Sequence, residues 1–366
     1  MNKKPIRLMS LDTLRGFDML WIIGGERVIH AWAKTSDSSI AQTLSQQFRH
    51  VIWDGFRFYD LIFPLFIFMA GMSMPYAISS KVERGEDKSI LLKRLTKRLV
   101  LLLALGAIYN GFLQFGENPR YASVLARIGI STFIAGLIVL YFDLHKQVYI
   151  LVGIVIGYAL ALKIFSAPGF TGGELSIFGN FASFIDSNFL PGRLHKGIHD
   201  PEGLLSNIPA AATALLGVMS GHIIRSQKED MYKFKIVLGL GLSLLAIGWI
   251  WHSFLPVNKN IWTSSFVLVT AGWSNILFAL FYLVIDIKQY QKWSLPLQWV
   301  GVNSILIYML ASGKIVDFNG ISEYFFMGVA NWLTKDYSII IVATMTIVIE
   351  LLLLHYLYKK KTFLKV

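Results

Sequence analysis

The sequence predicts an all-α fold, a polytopic transmembrane helical bundle, and three observations predict it. Of 366 residues, 55% are hydrophobic and 15% charged, and the mean hydropathy is +0.56; an ordinary soluble domain carries about 25% charged residues. The apolar residues gather into stretches close to the roughly 20 residues that a helix needs to cross a bilayer. Lys and Arg are divided unevenly between the connections, as they are in polytopic membrane proteins.

Ten segments are expected to span: 14–33, 58–80, 99–115, 123–142, 148–166, 203–224, 234–254, 263–285, 295–312 and 337–357. The first is interrupted by Asp18, Glu26 and Arg27. The third and fourth are separated by the turn-rich "FGENPRY". With the N-terminus cytoplasmic, the inside connections hold 21 Lys and Arg, Lys3, Lys4 and Arg7 among them, and the outside connections hold 9. Both termini are then cytoplasmic, and the long polar connections 34–57 and 167–202 fall outside with "LPVNKNIW" (255–262). Loops carry function disproportionately, so a site is expected at or below the outer face. The whole chain, 1–366, reads as one integral-membrane domain to which the outer loops 34–57 and 167–202 contribute.

Several function classes drop out. The chain has no cysteine, which excludes disulfides, thiolate metal sites and a cysteine nucleophile. The net charge of +12 is distributed as topogenic charge, so no nucleic-acid partner is expected. The first apolar stretch has no small-residue cleavage site after it, so no cleaved signal peptide is expected. "GLGLSLLAIG" (239–248) lacks the Lys-Ser/Thr ending of a phosphate loop and reads as helix packing.

Polar residues at the membrane boundary are the candidates for chemistry, because ionisable groups are costly beside lipid. In "HVIWDGFRFYDLIFPLF" (50–66), a helix over 50–60 would put His50, Trp53 and Asp54 on one side. A carboxylate beside an imidazole is how a general base is built; the alternative is an interfacial histidine with Trp53 and Tyr59 as belt aromatics. Asp60 stands where a carboxylate either caps the helix or orients the ring. "RLHKGIHDPEGLLSNIP" groups His195, His199, Asp200 and Glu202; the spacing fits no zinc pattern, so no metal is expected. Asp200 before Pro201 reads as a helix start with Glu202 in its first turn. Asn258, Lys259 and Asn260 form either a turn that holds a sugar hydroxyl, phosphate or carbonyl, or a plain solvated turn. Asp12, Arg15 and Asp18 suggest an ion-paired row facing the bundle, and Arg127, Asn303 and Glu350 are further intramembrane polar residues.

Six stretches occur in order: "SLDTLRGFDML" (10–20), "HVIWDGFRFYDLIFPLFIFMAG" (50–71), "VLARIGIS" (124–131), "DPEGLLSNIPA" (200–210), "PVNKNIWTSSFVL" (256–268) and "GVNSILIYM" (301–309). Together they resemble the heparan-α-glucosaminide N-acetyltransferase family and its bacterial relatives over nearly the whole chain. The resemblance implies a membrane acyltransferase that uses acetyl-CoA to acetylate an amino sugar across the bilayer. It implies His50 as the residue of acetyl transfer, with Trp53, Gly55 and Asp60 at the other positions of that motif. It further implies Asp200, Glu202, Asn258, Lys259, Trp262 and Asn303 as motif positions, and Arg127 as the kept arginine of a motif whose glutamine is Ala126 here. Glu26 stands where the lysosomal form has an asparagine, and the loop 167–202 is short and lacks that form's cysteines. The expected partners are acetyl-CoA, an amino sugar or glycan acceptor and the lipid bilayer of a bacterial inner membrane; homodimerisation is left open. The rival expectation is a transporter or flippase of a polar glycan.

Overall fold

A computed structural model describes residues 8–112, 118–195, 197–313, 315–333 and 337–364. Lys3, Lys4 and Arg7 lie outside the described residues, as does part of "FGENPRY". The described residues form helices and no strand, with three isolated β-bridges. In chain order the helices are α1 (Met9–Leu20), α2 (Glu26–Thr35), α3 (Ser39–Gln47), α4 (Phe58–Glu83), α5 (Lys88–Tyr109), α6 (Val124–Tyr141), α7 (Leu144–Ile164), α8 (Phe181–Phe189), α9 (Asn207–Arg225) and α10 (Asp230–His252). After them come α11 (Ser264–Ile287), α12 (Leu295–Val302), α13 (Ser304–Leu310), α14 (Phe318–Leu333) and α15 (Ser338–Lys359).

Local chemistry sets many of the starts. Asp87, Ser123, Asp143 and Asn180 each precede a helix and accept a hydrogen bond from the amide of Ser89, Ala126, Lys146 and Ser183, at 2.9, 3.0, 3.1 and 2.7 Å. Each satisfies one of the donors that the first turn leaves open. Asp317 does the same for Gly320 at 2.9 Å and opens α14, a helix in a connection expected as a loop.

Seven helices are long and apolar enough to cross a membrane: α4, α6, α7, α9, α10, α11 and α15. They coincide with seven of the ten expected segments. The other three segments are helical in their described parts but differ in character. Segment 14–33 is broken by a π-helical turn at Trp21–Gly25. Segment 99–115 is the apolar end of α5, whose first half carries Lys88, Lys93, Arg94, Lys97 and Arg98. Segment 295–312 breaks at Asn303.

The chain forms two compact units. The first comprises the described residues of Met1–His50, Arg57–Ile62 and Leu280–Lys365. Here α1 lies close along α12: a Cβ added at Gly16 would meet the Leu297 carbonyl, and one added at Gly301 would meet that of Asp12. Asp12 and Arg15 pair at 3.6 Å, while Asp18 is fully buried and neither of its carboxylate oxygens has a hydrogen-bond partner among the described residues. The side chain of Asn303 donates to the Thr362 carbonyl at 3.1 Å and accepts from the Leu364 amide at 3.2 Å. Its role in the structure is therefore to hold the C-terminal tail against the break between α12 and α13.

The second unit comprises the described residues of Val51–Phe56 and Phe63–Ala279. Its centre is α9 against α4, made by small residues that let helix backbones approach. A Cβ added at Gly71 would meet the Ala214 backbone, and one added at Gly217 would meet that of Phe68. Between α10 and α11, Gly241 and Gly272 approach in the same way, so the glycine-rich stretch 239–248 is packing, as expected. Gly217→Ala should therefore lower thermal stability in detergent by about 1–3 kcal/mol, the usual cost of overpacking. Gly239→Ala, whose added Cβ meets nothing within 4 Å, should be neutral or stabilising by up to about 1 kcal/mol.

Candidate active site

In the first unit the site is built around the start of α4. Residues 50–57 are not helical, so the expected i,i+4 pairing of His50 with Asp54 does not form. Gly55, at φ +120°, and its amide bonded to the Val257 carbonyl at 2.8 Å hold this segment in an open turn. Asp60 takes the carboxylate role instead. Its Oδ1 lies 2.8 Å from His50 Nδ1, and its Oδ2 accepts from the Arg57 amide at 3.1 Å. The second bond is the acidic half of a capping box, reaching back to the residue that precedes the helix. Both expectations for Asp60 are thus met by one carboxylate, a cap and a partner for the ring.

Burial divides the pair. The Asp60 side chain is 0% exposed and that of His50 is 50% exposed. A buried carboxylate held at two points sets the direction of a half-exposed ring. With the proton on Nδ1 facing Asp60, Nε2 carries the lone pair. The Tyr59 ring lies 4.8 Å from the imidazole centroid at an interplanar angle of 32°. Arg57 also donates to the His50 carbonyl at 3.3 Å.

In the second unit, Asp54 pairs with the 255–262 turn. Asn258 Nδ2 donates to Asp54 Oδ1 at 3.0 Å, and Asn258 Oδ1 accepts from the Ile261 amide at 3.2 Å. Asn258 is 1% exposed and Trp262 is fully buried, so this is no solvated turn. Trp53 donates to the Leu175 carbonyl at 2.8 Å and meets the His199 ring edge-on at 5.1 Å. Trp53 therefore anchors the loop 167–202.

The same unit contains a buried ionic network. Arg120 pairs with Asp200 and Glu202, through two bonds to the first and one to the second. Asp200 also accepts from the amides of His195 (2.9 Å) and Glu202 (3.0 Å). Asp200 does not start a helix as expected, because its oxygens serve Arg120 and this turn; α9 begins at Asn207. Burial alone would raise the Asp200 carboxyl, but the Arg120 guanidinium and the two amides hold it below the ordinary carboxylate range. Burial likewise opposes the charge on Arg120, and the two carboxylates outweigh it, raising that guanidinium further. Next to this network Arg127, 1% exposed, bonds the Ser206 hydroxyl and stacks over the Trp262 ring at 4.7 Å. Its Nε and Nη1 have no hydrogen-bond partner among the described residues.

Asp186 caps this region by accepting from the Leu204 amide at 2.8 Å. Burial pushes its carboxyl up to about 6, against the opposing Leu204 amide and Arg127 charge. The folded state therefore holds a proton that the unfolded chain loses near pH 4, and this contribution to stability falls as pH rises from about 4 to 6. Asp186→Asn keeps an acceptor for Leu204 without the charge. Melting curves of the two proteins should converge at pH 4, with the variant the more stable at pH 8; an identical pH dependence would contradict the assignment.

Sequence reasoning left Arg120, Asp186 and Ser206 out of the site. Arg120 entered only as topogenic charge, and its partners lie 80 and 82 residues away. No metal-holding group of three or more His, Asp or Glu is found among the described residues.

Comparison with known proteins bears on this arrangement. Residues 7–185, which include His50, Asp54 and Asp60, match a family model described as a domain of unknown function, DUF5009. The human heparan-alpha-glucosaminide N-acetyltransferase is 27% identical over 83% of this chain and 52% of its own length. The chain is similar in sequence to the heparan-alpha-glucosaminide N-acetyltransferases. The mouse protein of that name is also 27% identical, over 83% of this chain and 53% of its own. The chain thus spans about half the length of the curated relatives it matches.

Proposed function

We propose that this protein is a membrane-embedded acetyltransferase that moves an acetyl group from acetyl-CoA to the amine, or a hydroxyl, of a glucosamine-type sugar at the outer face. The observation that carries the reading is the His50–Asp60 pair, a half-exposed imidazole aligned at 2.8 Å by a fully buried carboxylate, in a chain similar in sequence to an N-acetyltransferase.

The chemistry follows from that pair. As a general base, Nε2 takes the proton of the attacking amine while the new bond to the acetyl carbon forms and the carbon–sulfur bond breaks. It then returns a proton to the departing thiolate, and Asp60 stabilises the imidazolium in between. As a nucleophile, Nε2 instead attacks the thioester carbonyl, the carbon–sulfur bond breaks as the CoA thiolate leaves, and the acetyl–nitrogen bond of the resulting acetyl-imidazole breaks when the acceptor amine or hydroxyl attacks. The unsatisfied Nε and Nη1 of buried Arg127 suit an anionic or carbonyl oxygen of a ligand. Asn258, with both side-chain groups engaged inside the protein, fixes the 255–262 turn of the second unit. Cytoplasmic termini and a bacterial inner membrane belong to the same reading.

The test uses purified protein in detergent, labelled acetyl-CoA and a panel of amino sugars. Formation of an N-acetyl sugar supports the proposal. Net glycan movement in proteoliposomes, with no acetyl-CoA consumed and no acetylated product, replaces it with the transport reading.

A further inference from the structure

In the first unit α2, α14 and the start of α15 border a cleft of about 380 Å³, within the roughly 300–1,000 Å³ of small-molecule sites. One wall is cationic. Arg27, His30 and Lys34 line it from α2, and their i, i+3, i+7 spacing sets them on one face of that helix. Ala31, on the same face, is small and leaves the space between them open. His30 is held by α3, its Nδ1 2.8 Å from Ser45 Oγ. Arg27 and Lys34 are exposed and form no ion pair among the described residues. The facing wall is divided. Glu323 of α14 accepts from Asn319 Nδ2 at 2.7 Å, while Ile339 and Val342 of α15 are apolar. Asp317 lines an adjoining space with Arg27 and caps α14 through the Gly320 amide. α15 is one of the helices able to cross a membrane, and Ile339 and Val342 lie in its first two turns, so the cleft stands where that span begins.

We propose that this cleft binds the phosphodiester headgroup of an anionic membrane phospholipid, with Arg27 and Lys34 on the phosphate and an acyl chain along Ile339 and Val342. Two permanent cations face one carboxylate there, so the cleft itself is complementary to a ligand of net negative charge. The guanidinium fork and the ammonium both suit phosphate oxygens. A zwitterionic headgroup would bring its own ammonium into this positive surface. A soluble phosphate would leave the Ile339–Val342 wall facing water, whereas a lipid covers that wall with its chain.

The experiment titrates the delipidated full chain, in a neutral detergent, with phosphatidylglycerol or phosphatidylcholine and counts bound lipid by native mass spectrometry. It needs no acetyl transfer. Phosphatidylglycerol should bind about tenfold tighter than phosphatidylcholine or better, and inorganic phosphate at the same concentration should not displace it. Arg27→Gln with Lys34→Gln should weaken phosphatidylglycerol about thirtyfold, about fivefold for each cation. Arg27→Lys keeps the charge and should lose less than about threefold. Removing as much charge from α5, by Lys93→Gln with Lys97→Gln, should leave the affinity within about twofold. Because Arg27 and Lys34 are exposed, the double variant should melt as wild type does without added lipid; should it not, the two single variants carry the test. Equal affinity for the two lipids, or an equal loss in the α5 variant, would overturn the proposal, since the lipid would then be held by apolar contact or by overall charge. Displacement by inorganic phosphate would overturn the lipid as occupant.

Discussion

His50→Ala should lower the proposed acetyl transfer about 10²–10⁴-fold, the range lost with a general acid–base group, while the protein remains folded. The size follows from geometry. With Nδ1 facing Asp60, the proposed base is Nε2, and alanine leaves that position empty. The fold is expected to survive because the side chain is half-exposed. Asp60 loses its partner, yet it keeps the Arg57 amide, and an unsatisfied buried oxygen costs about 1–3 kcal/mol. His50→Gln, which can still donate toward Asp60, should melt closer to wild type and be equally inactive. Labelled acetyl-CoA without acceptor separates the two mechanisms. Label retained on wild-type protein and absent from His50→Ala marks the acetyl-imidazole route, and no retained label marks direct transfer. Activity within about fivefold of wild type in a folded His50→Ala protein is too small a loss for acid–base catalysis and would refute the central assignment.

Arg120→Ala should cost about 3–5 kcal/mol of stability, the usual result of removing one partner from a buried ion pair. Asp200 is fully buried at its side chain, Glu202 is 11% exposed and Arg120 is 14% exposed. Water therefore screens these charges poorly, and the truncated protein would keep two carboxylates facing each other without a cation. The loss should appear as a large fall in melting temperature in detergent. Replacing all three together, Arg120→Met with Asp200→Asn and Glu202→Gln, should recover most of it, because no uncompensated charge remains. Because Asp200 is held below its ordinary range, its contribution is present above about pH 4 and is lost as pH falls through the lower, folded value. A single variant as stable as wild type would show that the network is solvated.

Much of this was legible before any coordinates. Composition and apolar run length place α4, α6, α7, α9, α10, α11 and α15, since a span needs little beyond enough apolar residues. The caps at Asp87, Ser123, Asp143 and Asn180 act over two or three residues and can be read locally. His50 and Asp60 are both legible, Asp60 as cap or ring partner, while sequence leaves Asp54 open as a second carboxylate beside His50. The i,i+4 spacing of His50 and Asp54 holds only on a helix, and the segment is turned out of helix by Gly55 and by its bonds to the 255–262 turn. That turn lies 204 residues beyond Asp54, a separation over which sequence spacing says nothing about contact.

Sequence by itself determined that the chain is helical and membrane-spanning, that cysteine chemistry is excluded, and that polar residues concentrate around 50–60, 195–202 and 256–262. These are properties of composition and short range, fixed by solvation and by hydrogen bonds within a turn or two. Tertiary structure alone decided that Asp60 and not Asp54 aligns His50, that Asp54 belongs to Asn258, and that Arg120 neutralises Asp200 and Glu202. Each of these depends on which buried charge or ring finds a partner from a distant stretch, because low-dielectric surroundings make an unpaired group costly and so select the packing that pairs it.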